Sequence, residues 1–331
     1  MLVSLKHNQF NLSKLFLFIG FLFLTTYSTA WDLTLADPTI FYENGKYYVS
    51  GTSSDDGFFM YESQDLKYWR PSGPNPSGMI LQKGSGIYGT QWFWAPQFVK
   101  HNNTYYMLYT ANEQVCIATS NKINGAYGNG VAIDLSAKNI DPFLFKDDNG
   151  KFYLYHVRFT SGNRIWVGEF DINTKKIVPG TLQLCFNRTQ AWEKTSASPS
   201  AEVIEGPTVI KRNGIYYMFY SANHFESPDY AVGYATASSP LGPWTKYSGN
   251  PIIHRNLVGD KGAGHGDVFF DGVGNPYYVY HSHWTQTAVH PRRTWIMPLQ
   301  FEANNTVSIN SNLKIQEKVE EPPDCNKEYQ R

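Results

Sequence analysis

Three acidic residues head similar short segments of the chain: Asp37 in Ala36-Asp37-Pro38, Asp141 in Ile140-Asp141-Pro142 and Glu205 in Glu205-Gly206-Pro207. Carboxyl groups gathered from distant parts of a chain repel one another, so at least one keeps its proton to higher pH than a free carboxyl does. A protonated carboxylic acid beside an ionised carboxylate is the material for general acid and base work. One protonates a leaving oxygen and the other activates water. A single Asp before Pro opens or caps a turn and implies nothing of the kind; recurrence at equivalent places does. Trp94 heads a further equivalent segment, with Trp92 two residues before it, and flat rings there are candidate platforms for a sugar. His265, in Gly264-His265-Gly266-Asp267, opens the last such segment, with Asp267 as its support or a strand cap. Arg292 and Arg293 follow His290-Pro291; neighbours on a strand face opposite ways, and Arg292 is taken as the inward one. Asn223, His224 and Asp229 share a polar loop that could shape a pocket. His281 and His283 alternate on one strand, but a metal pair there would need further ligands.

These residues are positioned by an internal repeat. Similar segments start at Ala36, Trp94, Ile140, Glu205 and His265, 46 to 65 residues apart. Each has a tight loop, a short apolar strand, a polar or glycine-containing turn and a second strand dense in Tyr and Phe. Asn-Gly at 44, 149 and 213 is a strong hairpin signal. The hairpin leaves room in each interval for two more strands, faintly visible in the likeness of Met60–Trp69 to Tyr234–Trp244. Helical periodicity is nearly absent. The expected fold is all-β, a five-bladed β-propeller with about four antiparallel strands per blade. A sandwich would explain the strands but not the recurring starts.

Lys6 and Lys14, the apolar run Leu15–Leu24 and Ser28-Thr29-Ala30 form a signal-peptide layout over residues 1–30, too short for an ordinary membrane span. The expected organisation is that leader, a catalytic propeller over 31–315 and a tail over 316–331 that is a surface strap or a loose end. The chain is then secreted, extracellular or periplasmic, with no membrane contact after cleavage. It carries 28 basic and 28 acidic residues, and removing the leader leaves a slight acidic excess, which argues against a nucleic-acid partner. Its 23 Tyr, 21 Phe and 9 Trp suit strands and sugar contacts alike. Cys116, Cys185 and Cys325 allow at most one disulfide and lack metal-ligand spacing. Sequons begin at Asn102, Asn187 and Asn304.

In this order, each followed by its strand and turn, the motifs resemble glycoside hydrolase family 43 over about residues 31 to 302. The resemblance implies roles that charge alone does not assign: Asp37 as general base, Glu205 as general acid, Asp141 as the modulator that tunes the acid and orients substrate. It implies single-displacement hydrolysis with inversion, which needs roughly 6.5–9.5 Å between base and acid. Members place a histidine near the axis beside a water network or a bound calcium ion, which makes His265 the candidate metal neighbour, with no cofactor otherwise required. They also use an arginine late in the chain near the acidic centre. The implied activity is exo-acting hydrolysis of pentose-containing side chains or oligosaccharides, of β-xylosidase or α-L-arabinofuranosidase type, by a monomer. Alternatives are a galactan- or galactofuranoside-directed enzyme, a non-catalytic carbohydrate-binding propeller, and a retaining fructosidase-type relative with carboxyls only about 5–5.5 Å apart.

Overall fold

The computed structural model describes residues 30–74, 78–198 and 202–320. The leader expected over 1–30 lies outside them except for Ala30, as do Cys325 and the end of the tail. Cys116 and Cys185 are free thiols.

Each repeat folds as an antiparallel hairpin that begins a small sheet. The innermost strands are Ala36–Glu43, Trp94–His101, Asn139–Lys146, Ile204–Arg212 and Gly264–Phe270. Each packs beside the next, and the last returns to the first, so five sheets close a ring. The β-propeller expected from the repeat is the fold observed. The hairpin turns follow their residues: Asn44 and Gly45 both take positive φ (52° and 79°), as do Asn213 and Gly214 (52° and 78°). A two-residue turn matching strand twist requires that geometry, and Asn and Gly tolerate it best.

The core lies between blades. Along Thr104–Ala111 in blade two, Tyr105, Met107 and Tyr109 pack towards blade one, while Leu108 packs with Leu144 and Leu154 of blade three. A period-two strand buried on both faces needs this all-apolar pattern. Five buried clusters fill the five junctions.

Blade one closes the ring with both ends of the described residues. Its six-stranded sheet includes Ala30–Asp32 and Lys318–Glu320, which pair antiparallel, and Lys318–Glu320 also runs parallel to Tyr68–Pro71. Residues 318–320 of the expected tail are therefore a strand of the first sheet.

Candidate active site

All five inner strands begin with an irregular step in register: between Ala36 and Thr39, Trp94 and Gln97, Ile140 and Phe143, Glu205 and Thr208, and Gly264 and Gly266. At each step one residue takes the left-handed region: Asp37 (φ 48°), Ala95 (47°), Asp141 (53°), Gly206 (60°) and His265 (37°). Bulges re-aim side chains, and strained non-glycine residues of this kind concentrate at functional sites. Here they turn Asp37, Asp141 and His265 onto the axis, where they line a cavity of about 20 Å³, room for one water.

One expectation needs correcting. Glu205 and Trp94 do not share the register of Asp37 and Asp141; Gly206 and Ala95 do, and Glu205 stands one residue earlier. Crowding at the axis explains the glycine. A Cβ on Gly206 would come within 2.7 Å of the His265 ring. The acid of blade four, Glu205, therefore enters from beside the axis.

The N–H of each bulge residue needs a partner, and a column of side chains on the second strands supplies it. Thr52 accepts from Ala95 (2.9 Å), Thr110 from Asp141 (3.0 Å), Ser221 from His265 (2.8 Å) and His281 Nδ1 from Asp37 (3.1 Å). Each acceptor belongs to the preceding blade. In blade three the column holds Val157, opposite Ile140, and the Gly206 N–H instead donates to Asp141 Oδ2 at 3.2 Å.

Asp37 is buried among donors and cations. Arg292 Nη1 lies 3.3 Å and His265 Nδ1 3.2 Å from Oδ1, and Thr52 donates to Oδ2 at 2.7 Å. Burial opposes ionisation, but Arg292, His265 and the Thr52 hydroxyl outweigh it and hold Asp37 well below the usual carboxylate range. Burial likewise works against charge on His265, yet Asp37, Asp141 and Glu205 together raise its pKa. His281 is held neutral by burial and by Arg292.

Asp141 goes the other way. Burial, reinforced by Glu205 and Asp37 and countered by His265 and the Gly206 N–H, pushes it up to about 7. Glu205 is buried beside it, its Oε1 accepting from Tyr230 Oη at 2.7 Å and its Oε2 from Asn163 Nδ2 at 3.0 Å. Tyr230 is fully buried and stays a donor, because burial and the acids raise its pKa well above the phenol range.

The structure gathers Asp37, Asp141, Glu205, His265 and Arg292 at one centre. Trp92 and Trp94 stack on each other, centroids 5.9 Å apart, with Trp92 41 % exposed. Asn223 is not free to bind sugar. It accepts from the Thr195 N–H and the Ser198 hydroxyl and donates to the Trp192 and Asp229 carbonyls, so it ties loops together. Asp229 is likewise engaged, by Thr195 and Arg255. His224 stacks on Phe225, which itself lies under the Arg292 guanidinium, 4.9 Å from ring centroid to carbon. Arg293 turns away to Asp32 and Trp284. Asp267 neither supports His265 by a hydrogen bond nor caps a strand; it accepts from Thr39 and Thr208, clamping blades one, four and five.

His265 directs Nδ1 at Asp37, both Asp267 oxygens serve threonines, and Gln97 Oε1 accepts the Leu144 N–H. Among the described residues no group of three or more His, Cys, Asp or Glu side chains is arranged to hold a metal.

Sequence reasoning missed Thr52, Tyr230, Asn163 and Phe225. The first belongs to a column that aligning the repeats exposes: Thr52, Thr110, Val157, Ser221, His281. Asn163 begins the third strand of blade three, Tyr230 directly precedes that of blade four, and Phe225 lies in the loop before it.

A ring of five blades with buried carboxyls at its axis defines a class of carbohydrate-active propellers. Residues 31–307 match glycosyl hydrolases family 43, and the chain belongs to that family. It is an O-glycosyl hydrolase. Among curated relatives, the β-D-galactofuranosidase xynD of Aspergillus niger is 26% identical and aligns over 84% of this chain and 83% of its own. A xylosidase/arabinosidase of Butyrivibrio fibrisolvens is 30% identical over 56% of this chain but only 37% of its own length. Among solved structures, an endo-1,4-β-xylanase from Bacteroides thetaiotaomicron superposes with TM-score 0.81 at 37% identity, covering 89% of this chain and 100% of that one. A thermostable family-43 glycoside hydrolase follows at 0.74 and 32%, covering 84% and 93%. No helix among the described residues is long and apolar enough to cross a membrane.

Proposed function

We propose that this enzyme removes terminal pentosyl units from polysaccharide side chains or oligosaccharides, as β-xylosidases and α-L-arabinofuranosidases do, by single displacement with inversion. One observation carries the reading: two neighbouring acids are driven in opposite directions, Asp37 held ionised and Asp141 held protonated up to about pH 7. Opposed environments of that kind divide acid from base. Asp37 takes a proton from the water that attacks the anomeric carbon. Glu205 gives a proton to the departing glycosidic oxygen on the opposite face. Asp141, pushed up to about 7 by burial and by the charges of Glu205 and Asp37, stands beside the acid as its modulator. Arg292 and His265 keep the base ionised, and the Trp92–Trp94 stack offers an aromatic face for the sugar. Asp37, Asp141 and Glu205 are each less than one-tenth exposed, a recess suited to a chain end and supporting exo action.

Galactofuranosides are the second reading, favoured by the Aspergillus niger relative that aligns over most of both chains. We also read the protein as secreted after loss of residues 1–30, monomeric and without a required cofactor; the mass and amino terminus of protein recovered from medium test the first of these. The principal test is release from aryl β-xylosides, α-L-arabinofuranosides and β-galactofuranosides, run beside Glu205→Ala. Release of one sugar that is lost in the variant, with the inverted anomer appearing first by NMR, supports the proposal. Release of the retained anomer refutes single displacement, and release confined to the galactofuranoside favours the second reading.

A further inference from the structure

On the mouth side of blade five, Asp260, Lys261, residues 283–286 and Arg293 line a second cavity of about 230 Å³. His283 links it to the catalytic centre. Its Nε2 lies 2.8 Å from the Phe225 carbonyl, the Phe225 ring lies under Arg292, and Arg292 touches Asp37. One wall is the indole of Trp284, oriented by the Arg293 guanidinium 4.4 Å from its centroid. Flat apolar walls with polar neighbours suit sugar rings.

The charges of the lining are unequal in their partners. Asp260 is paired with Lys314, and Arg293 with Asp32 at 3.2 Å. Lys261 donates to the Gln286 carbonyl at 2.7 Å and, among the described residues, has no carboxylate at ion-pair distance. An ammonium carries three donors, so this one keeps capacity for an anion. A sugar wall beside an uncompensated cation matches a sugar that bears a carboxylate.

We propose that this cavity is a subsite for a uronic acid residue of the polysaccharide, its carboxylate paired with Lys261 and its ring against Trp284. The inference rests on the glycosidase reading for the polymer that carries the uronate. It makes the enzyme selective for acidic, branched chains, with the uronate lying beyond Arg292 from the cleaved bond.

Calorimetry on the full-length Glu205→Gln protein tests it, with aldotriouronic acid (glucuronic acid on xylobiose) and the same trisaccharide after carboxyl reduction. The acidic ligand is expected to bind about fivefold more tightly, the upper range for a solvent-accessible ion pair. That preference should shrink with added salt and vanish in Glu205→Gln/Lys261→Met. Equal affinities, no binding of either ligand, or a preference that survives Lys261→Met each overturn the subsite. Hydrolysis of uncharged aryl glycosides, which do not reach this cavity, separately decides the glycosidase reading.

Discussion

Four of the five blade junctions satisfy the bulge N–H of one blade with a side chain from the second strand of the blade before it. The junction between blades three and four does so with the carboxylate of Asp141, because Val157 occupies the acceptor's place. The four regular junctions are structural: each pairs a buried donor that would otherwise cost stability. At the irregular one the same donor instead ties Asp141 to the Glu205–Gly206 backbone, and the two acids become neighbours. Where the repeat lacks its hydroxyl, the fastening is thus made by one of the axial acids.

The widest gap between the junctions is expected in activity. Glu205→Gln should lower kcat/KM by about 10²–10⁴-fold, more for poor leaving groups than for activated aryl ones. Trp94→Phe, at the same register in blade two, should have a far smaller effect. Equal losses would erase the distinction. Next, Ser221→Ala and Thr110→Val each strand a buried N–H and should cost about 1–3 kcal/mol in urea unfolding. Val157→Ala, which strands none, should show only the loss of packing.

Val157→Thr restores the missing acceptor and sharpens the comparison. If the Gly206 N–H moves to the new hydroxyl, Asp141 loses a donor to its ionised form and its pKa rises further. The alkaline decline in hydrolysis should then move to higher pH, while the melting temperature holds. An unmoved decline would show that the Gly206 bond is incidental.

The smallest effect is on the pH dependence of stability. A carboxyl raised on folding contributes stability fully below its ordinary pKa of 3.8 and loses it as pH rises through the folded value, here about 7. Wild type should therefore lose a few degrees of melting temperature relative to Asp141→Asn between pH 4 and 7.5. Asp37, shifted down, keeps its contribution throughout that window, since its loss would come only as pH falls through the lowered value. Hydrolysis should decline above about pH 7 as Asp141 gives up its proton; a rate rising there would sink this role for Asp141.

The blades were legible because the hairpin recurs, and with them the neighbourhood of Asp37, Asp141, Glu205 and His265. The offset of Glu205 was not, since a bulge shifts register by one residue without changing the look of Asp-Pro beside Gly-Pro. Asn223 looked like a pocket residue because its polar loop suggested one; only the four hydrogen bonds it makes reveal a tie. Tyr230 and Asn163 reach Glu205 from the starts of third strands, where the sequence repeat is too faint to align.

The closure of blade one has a consequence for topology. Ala30 lies directly opposite Glu320, so the described domain begins and ends at adjacent points on one sheet. A short linker would join them into a covalent circle, and new termini opened at the exposed Asn173–Thr174 turn would give a circular permutant in which only the pairing of Phe170–Asp171 with Lys176–Ile177 loses its local connection. In such a permutant the two-ended sheet of blade one becomes continuous, and the seam of the ring moves to blade three.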